Sequence, residues 1–222
     1  MSATTLSISA PRVRVSRAAL ARGIRAARDA NPDGAIDLRR DACGHGADLV
    51  AEVAAAAGVR HAITDGGDAP RGLAVAPEAD ALDPATVFGL AGGTPAMTAA
   101  GAVLQTKPLE PGDGVSYGYL HRATARTRVA LVVGGYAQGI ARAIGGRTFV
   151  LLGGERCPIV GRVAMDVCVV DIGALPVAPG DEAVFFGSGA PDLLPAWCEA
   201  TGWSPLEVVA AVGLGGAREV VA

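Results

Sequence analysis

The apolar positions of this 222-residue chain change period along its length. Residues 12–15 alternate as Arg-Val-Arg-Val, the period of a strand. Behind Ser16, a candidate N-cap, Leu20 and Ile24 recur at helical spacing and predict a helix over 17–29. "NPDG" (31–34) reads as a turn and "AIDL" as a strand. "ADLVAEVAAAAG" predicts an amphipathic helix, with Leu49, Val50, Val53 and Ala57 on one face and Gly58 as its stop. "RHAIT" (60–64) is a second strand. Strand, helix and strand make a βαβ unit, which implies a parallel pair with a right-handed crossover.

After Thr64 the stretches "DGGDAP", "APEADALDP" and "LAGGTP" read as loops. From about Met97 short β-rich runs take over: "AVLQT", "GVSYG", "RVALVVG", "TFVLL", "PIVGRVA", "VCVVDI" and "EAVFFG". Gly, Pro and Asp punctuate them, which predicts a small barrel or sandwich. The end is helical again. "DLLPAWCEAT" is one helix. "SPLEVVAAVG" is another, with Ser204 as cap, Pro205 at the first position and Glu207 completing a capping box. The expected fold class is α+β. The expected division is an α/β part over 1–93 and a β domain with terminal helices over 94–222, with the N-terminal strand free to join the latter.

Composition narrows the function classes. Half of the residues are apolar, enough for a substantial core and unlike a disordered chain. The net charge of −3 argues against a nucleic-acid or anionic-membrane partner, either of which favours a basic face. No run approaches a transmembrane helix. The opening "MSATTLSISAPRVRV" lacks the basic start and apolar run of a secretory signal, so the cytoplasm is expected. Cys43, Cys157, Cys168 and Cys198 form no CxxC pair, and His45, His61 and His121 are scattered. No metal site is expected, and the cysteines read as small hydrophobes.

Three motifs of the β-rich half stand together: "GVSYG" (114–118), "GYAQG" with Arg142 close behind (135–142) and "GRVAMD" (161–166). In this order they resemble the C-terminal β domain of alanine racemases. The resemblance includes "LEPGDGVSYG" and "CPIVGRVAMD". "SRAALARGIRAAR" and "RRDACGHGADLVAEVAAAAGV" are similar to that family's first helix and its lysine motif. The resemblance implies a (β/α)₈ barrel holding pyridoxal phosphate, a β domain, and head-to-tail dimers in which each β domain completes the partner's site. It implies that Tyr117 moves the Cα proton, and that Tyr136, Met165 and Asp166 line the substrate entrance and carboxylate side.

The departures from that family matter as much. Arg39 stands where its lysine belongs. A Schiff base needs a neutral amine, and arginine stays protonated. Lys107, the only lysine, falls in the β domain, on the wrong element for that role. About 60 residues separate the turn at 31–34 from the expected boundary, whereas a (β/α)₈ barrel takes about 250. The fold is therefore read as a remnant of about two βα units joined to a racemase-like β domain. The missing strands would carry the phosphate-binding loops and the pyridine-side arginine. The tyrosine expected near the C-terminus is replaced, with Val221 about where it should stand. No cofactor is expected.

The candidate catalytic residues are Tyr117, Tyr136 and His121. The candidate substrate-binding residues are Arg39, Tyr119, Arg142, Met165 and Asp166. Tyr117, Tyr119 and His121 share one face if a strand continues through them. Arg39 either binds an anion in a cavity or pairs with Asp37 or Asp41. His45 reads as a relic within a strand-to-helix turn. The favoured reading is a cofactor-independent enzyme of secondary metabolism. It moves a proton next to a carbonyl of a small molecule, as an isomerase, lyase or cyclase, and works as a homodimer with Tyr117 as acid/base. The alternative is a non-catalytic binding or regulatory partner that pairs with a full-length racemase.

Overall fold

The computed structural model describes residues 10–70, 72–76 and 80–222. The first nine residues, which carry most of the leader reading, lie outside these, as do 77–79 of "APEADALDP".

The chain opens with β1 (Arg12–Ser16) and runs directly into α1 (Arg17–Ala30). The Ser16 side chain accepts a hydrogen bond from the Ala19 N–H, as an N-cap should. Leu20 and Ile24 are fully buried, each stabilising the fold by about 1.5–3 kcal/mol. Next come β2 (Ile36–Asp37), a short turn α2 (Arg39–Gly44), helix α3 (Ala47–Ala56) and β3 (His61–Ile63). β2 and β3 pair in parallel, as the βαβ pattern predicts, and β4 (Ala74–Val75) adds a third parallel strand. The short helix α4 (Pro84–Val87) is capped by the Asp83 carboxylate and packs on α1.

The rest is built on β5 (Met97–Leu109), β6 (Gly114–Val115), β7 (His121–Arg122), β8 (Thr127–Val133), β9 (Phe149–Leu152), β10 (Glu155–Val160), β11 (Val167–Asp171) and β12 (Glu182–Phe186). β5 pairs with β8, β8 with β11, β11 with β10, β10 with β9 and β9 with β12. β12 returns to β5, closing a six-stranded antiparallel barrel and deciding between the barrel and the sandwich. Register shifts between Val103 and Gln105 and between Val184 and Phe186 bend the two strands that close it. α5 (Leu193–Thr201) and α6 (Pro205–Gly215) follow, the latter with the Ser204–Glu207 capping box. The final β13 (Ala217–Val221) lies parallel to β1, and β1 pairs in turn with β5. The N-terminal strand therefore belongs to the large sheet. One cluster of buried side chains runs without a break from Leu20 and Leu49 through Phe185 to Val212.

Candidate functional site

The "GVSYG" stretch does not remain a strand. β6 and β7 form a two-stranded hairpin whose tip, Tyr117–Tyr119, is a 3₁₀ turn. The continuous Tyr117–Tyr119–His121 row therefore does not exist. Gly118 sits at φ 80° and Tyr119 at φ 48°, which breaks the two-residue alternation that such a row needs. His121 instead lies opposite Val115 in the hairpin ladder.

Two non-glycine residues of this tip have positive φ, Ser116 at 61° and Tyr119 at 48°. Backbone of this kind persists only where its surroundings hold it. The Ser116 hydroxyl donates to the Arg162 carbonyl at 2.6 Å, which joins "GVSYG" to "GRVAMD" across 46 residues. The Tyr119 ring lies so close to Gly114 that any Cβ there would collide with it. Arg122 sits over the Tyr119 ring, 6.0 Å from its centre. The Tyr117 phenol, 69% exposed, is left projecting with no hydrogen-bond partner among the described residues.

Beneath the tip is an open cleft of about 520 Å³. Tyr117, Tyr119, Lys107 and Arg162 rim it, and Leu131, Val167 and Val169 form its floor. The register explains the floor. Leu131 lies opposite Val169, and Lys107 lies opposite Val129, two residues from Leu131 on the same face. This is the outer face of the barrel, over a small second core of Leu109, Val115, Ala123, Val129 and Val160. Lys107, which the sequence places in the β domain and on the wrong element for a cofactor lysine, lines the same cleft as Tyr117. The register across β5, β8 and β11 is the signal that places it there, and it is not local in sequence.

"GYAQG" meets the other end of the same loop. The Tyr136 and Ala137 N–H groups donate to the Ala164 and Met165 carbonyls, each at 2.9 Å. The Gln138 amide donates to the Asp166 carboxylate at 2.8 Å and its carbonyl accepts from the Gly135 N–H. Gly135 packs against the Met165 backbone with no room for a side chain. The Arg142 guanidinium lies 5.1 Å from the Tyr136 ring centre. Tyr136, Met165 and Asp166 are all exposed. The 161–166 loop therefore ties both tyrosine motifs into one patch that holds seven of the sequence candidates within or beside it.

Arg39 is not part of that patch. Its guanidinium forks onto the Asp37 carboxylate, Nε to Oδ1 at 3.0 Å and Nη2 to Oδ2 at 2.6 Å. After it, α2 turns with the wrong hand: Arg40, Asp41, Ala42 and Cys43 have φ between 51° and 56°. Left-handed turns of L-residues cost about 1–2 kcal/mol per residue. The turn is pinned by Asp41, which accepts from the Ala47 N–H at 2.7 Å and pairs with Arg218 of β13. It is also pinned by Asp65, which accepts from the Arg40 N–H at 2.7 Å. His45, just beyond, is fully buried and stacks on Phe88 with ring centres 3.9 Å apart. Burial lowers its pKa to about 4, reinforced by the nearby Arg218 charge and opposed by backbone hydrogen bonds and Asp41. It is a neutral core ring, outside the tyrosine patch. Cys168 is likewise sealed in, its thiol pushed up to about 12 by burial. Among the described residues no group of three His, Cys, Asp or Glu side chains is arranged to hold a metal, and no helix is long and apolar enough to cross a membrane.

The profile of the family "Alanine racemase, C-terminal domain" matches residues 96–219, more than half of the chain. This chain belongs to the alanine racemase family. The alanine racemase of Mycobacterium tuberculosis H37Rv is 48% identical over 110 residues, which cover 49% of this chain and 29% of that relative. The alanine racemase of Thermobifida fusca is 39% identical over 134 residues, 60% of this chain and 36% of the relative. The matched stretch thus spans only 29% and 36% of these relatives' lengths. The solved alanine racemase of Streptomyces coelicolor A3(2) superposes with a TM-score of 0.80 at 22% identity, covering 96% of this chain and 98% of that one. That from the D-cycloserine-producing Streptomyces lavendulae gives 0.81 at 20%, covering 96% and 97%. At such identity the superpositions speak for the alanine racemase fold alone.

Pyridoxal phosphate, the cofactor that the family resemblance implies, does not fit the residues present here. The group at position 39 is a guanidinium, always charged and already forked onto Asp37. The only amine side chain of the sequence, Lys107, stands on the outer face of the β barrel.

Proposed function

We propose that this protein is a racemase-fold enzyme that works without pyridoxal phosphate and moves a proton next to a carbonyl, with Tyr117 as its acid/base. The isomerase, lyase and cyclase reactions of secondary metabolism are its natural class. The observation that carries the reading is the Tyr117 turn. Strained backbone, a glycine packed on Tyr119 and a hydrogen bond from 46 residues away fix the turn that presents Tyr117, whose phenol has no hydrogen-bond partner among the described residues. Such strain is concentrated at working sites. Proton transfer beside a carbonyl needs a positioned acid/base and a donor for the developing oxyanion. The rim of the cleft supplies both kinds of group. Tyr136, Met165 and Asp166 are assigned to the approach to the site and Arg142 to holding Tyr136. His121 and Arg39 take structural places, in the hairpin and at the end of β2. The superpositions extend well beyond residues 96–219, which supports reading β2, α3 and β3 as the remnant of a (β/α) barrel.

The test is solvent exchange. The protein is incubated in D₂O with a panel of small 2-oxo acids and the proton beside each carbonyl is followed by NMR. Exchange above the buffer rate is expected for at least one acid, and Tyr117→Phe should abolish it. Equal exchange by the variant would remove Tyr117 from the mechanism.

A second reading has its own observation. Tyr117, Tyr119, Leu120 and Met165 are apolar or aromatic side chains more than half exposed on or beside one patch. Patches of this kind mark contacts between chains. On this reading the protein is a non-catalytic partner that offers Tyr117 to a full-length racemase, whereas the enzyme reading has a second copy cover the patch as a homodimer. Size-exclusion chromatography with and without a full-length racemase separates them. A stable self-dimer that ignores the racemase would count against the non-catalytic partner.

A further inference from the structure

Most cations of this fold already have partners. Arg14, Arg17, Arg126 and Arg218 meet carboxylates, and Arg128 and Arg147 donate to backbone carbonyls. Lys107 and Arg162 are among those that do not. Among the described residues neither side chain has an acidic or carbonyl partner, and both line the cleft under Tyr117. Among the described residues no carboxylate lines that cleft. Two like charges that face one concavity repel each other, and an anion between them reverses the sign of that interaction. The floor beneath them is aliphatic, made by Leu131, Val167 and Val169. Its volume, about 520 Å³, lies in the range of small-molecule sites. The side facing the cations is fixed in place: Ser116 holds the Arg162 backbone, and the strained tip holds both phenols above the floor.

We propose that this cleft binds a small organic monocarboxylate with a flat or branched apolar body. The carboxylate sits between Lys107 and Arg162, and the body lies on Leu131, Val167 and Val169 beneath Tyr117 and Tyr119. This names the substrate class for the reading of Tyr117 given above and rests on that reading for its catalytic meaning, while the binding itself requires no chemistry.

The single lysine makes the test direct. Reductive methylation with ¹³C-formaldehyde labels Lys107 and the N-terminal amine, keeps the lysine charge, and leaves the second signal as an internal reference. Sodium benzoate should shift the Lys107 dimethylamine resonance saturably and leave the reference unmoved. Benzamide, with the same ring and no charge, and inorganic phosphate, with charge and no apolar body, should each bind at least about tenfold more weakly. Arg162→Ala should weaken benzoate by about tenfold, the scale of one charge-assisted hydrogen bond. Tyr117→Phe should leave binding within about twofold while abolishing exchange. Equal binding of benzamide or phosphate, no response from Lys107, or an unchanged affinity in Arg162→Ala would each overturn the proposal. Exchange that survives without benzoate binding would overturn this site and spare the proton-transfer reading. Binding without exchange in any substrate would do the reverse.

Discussion

His45 gives this fold a pH dependence that can be worked out in advance. Its ring is sealed against Phe88, and burial lowers its pKa from 6.5 to about 4. In the unfolded chain the same imidazole regains the ordinary value. Between pH 6.5 and 4 the unfolded state therefore binds a proton that the folded state refuses. Stability tied to His45 is fully present above pH 6.5 and is lost as pH falls toward 4. The gap is about 2.5 pH units, which at about 1.4 kcal/mol per unit comes to about 3.5 kcal/mol in full, of which about 3 kcal/mol is lost by pH 4. Asp83 and Glu207, whose pKa values are lowered by the Thr86 side chain and the Ser204 backbone respectively, also lose stability in acid. A variant comparison removes their contribution. Urea unfolding of the wild type and His45→Phe, from pH 7.5 to 4.0, should give a difference in unfolding free energy that moves by about 3 kcal/mol in favour of the variant across that range. Two parallel curves, offset by the same amount at every pH, would refute a buried neutral His45.

Other expectations follow from packing. Gly44→Ala should destabilise by at least about 2 kcal/mol in urea unfolding, because φ is 79° and the new Cβ would stand 2.8 Å from the Gly213 Cα. Ser204→Ala, which breaks the capping box of α6, should cost about 1 kcal/mol in the same assay. The half-exposed Asp41–Arg218 pair should show a double-mutant coupling of about 0.5–1 kcal/mol that shrinks in 1 M salt.

Local rules carried the sequence a long way. The Ser16 and Ser204 caps, the parallel β2–β3 pair and the strand-rich second half all follow from spacing and short-range chemistry, and all are present. What escaped was set by contacts distant in sequence. The left-handed turn at Arg40–Cys43 is written in residues of which only Asp41 is of a type that favours that hand, and Arg218 and Asp65 help impose it from afar. The parallel pairing of β1 with β13 joins the two ends of the described chain. The Tyr117–Tyr119–His121 row fails because Gly118 and Tyr119 turn the chain where alternation alone would extend it. That Lys107 lies beside Tyr117 can be read only through the register of three strands.

The same distinction explains how the Tyr117 arrangement can be independent of the βα part of the chain. Among the described residues the hydrogen bond, ring contacts and cleft walls around the tip come from the barrel half: Gly114, Ser116 and Arg162 hold it, Arg122 covers it, and β8 and β11 floor it. None of those named lies in β2, α3 or β3. The left-handed turn, by contrast, is held between the βα part and β13. Changes in the βα part can therefore alter Arg39 and its surroundings while leaving the phenol and its cleft in place. Arg39 and Tyr117 are held by separate sets of contacts, so a change at the first does not require losing the second.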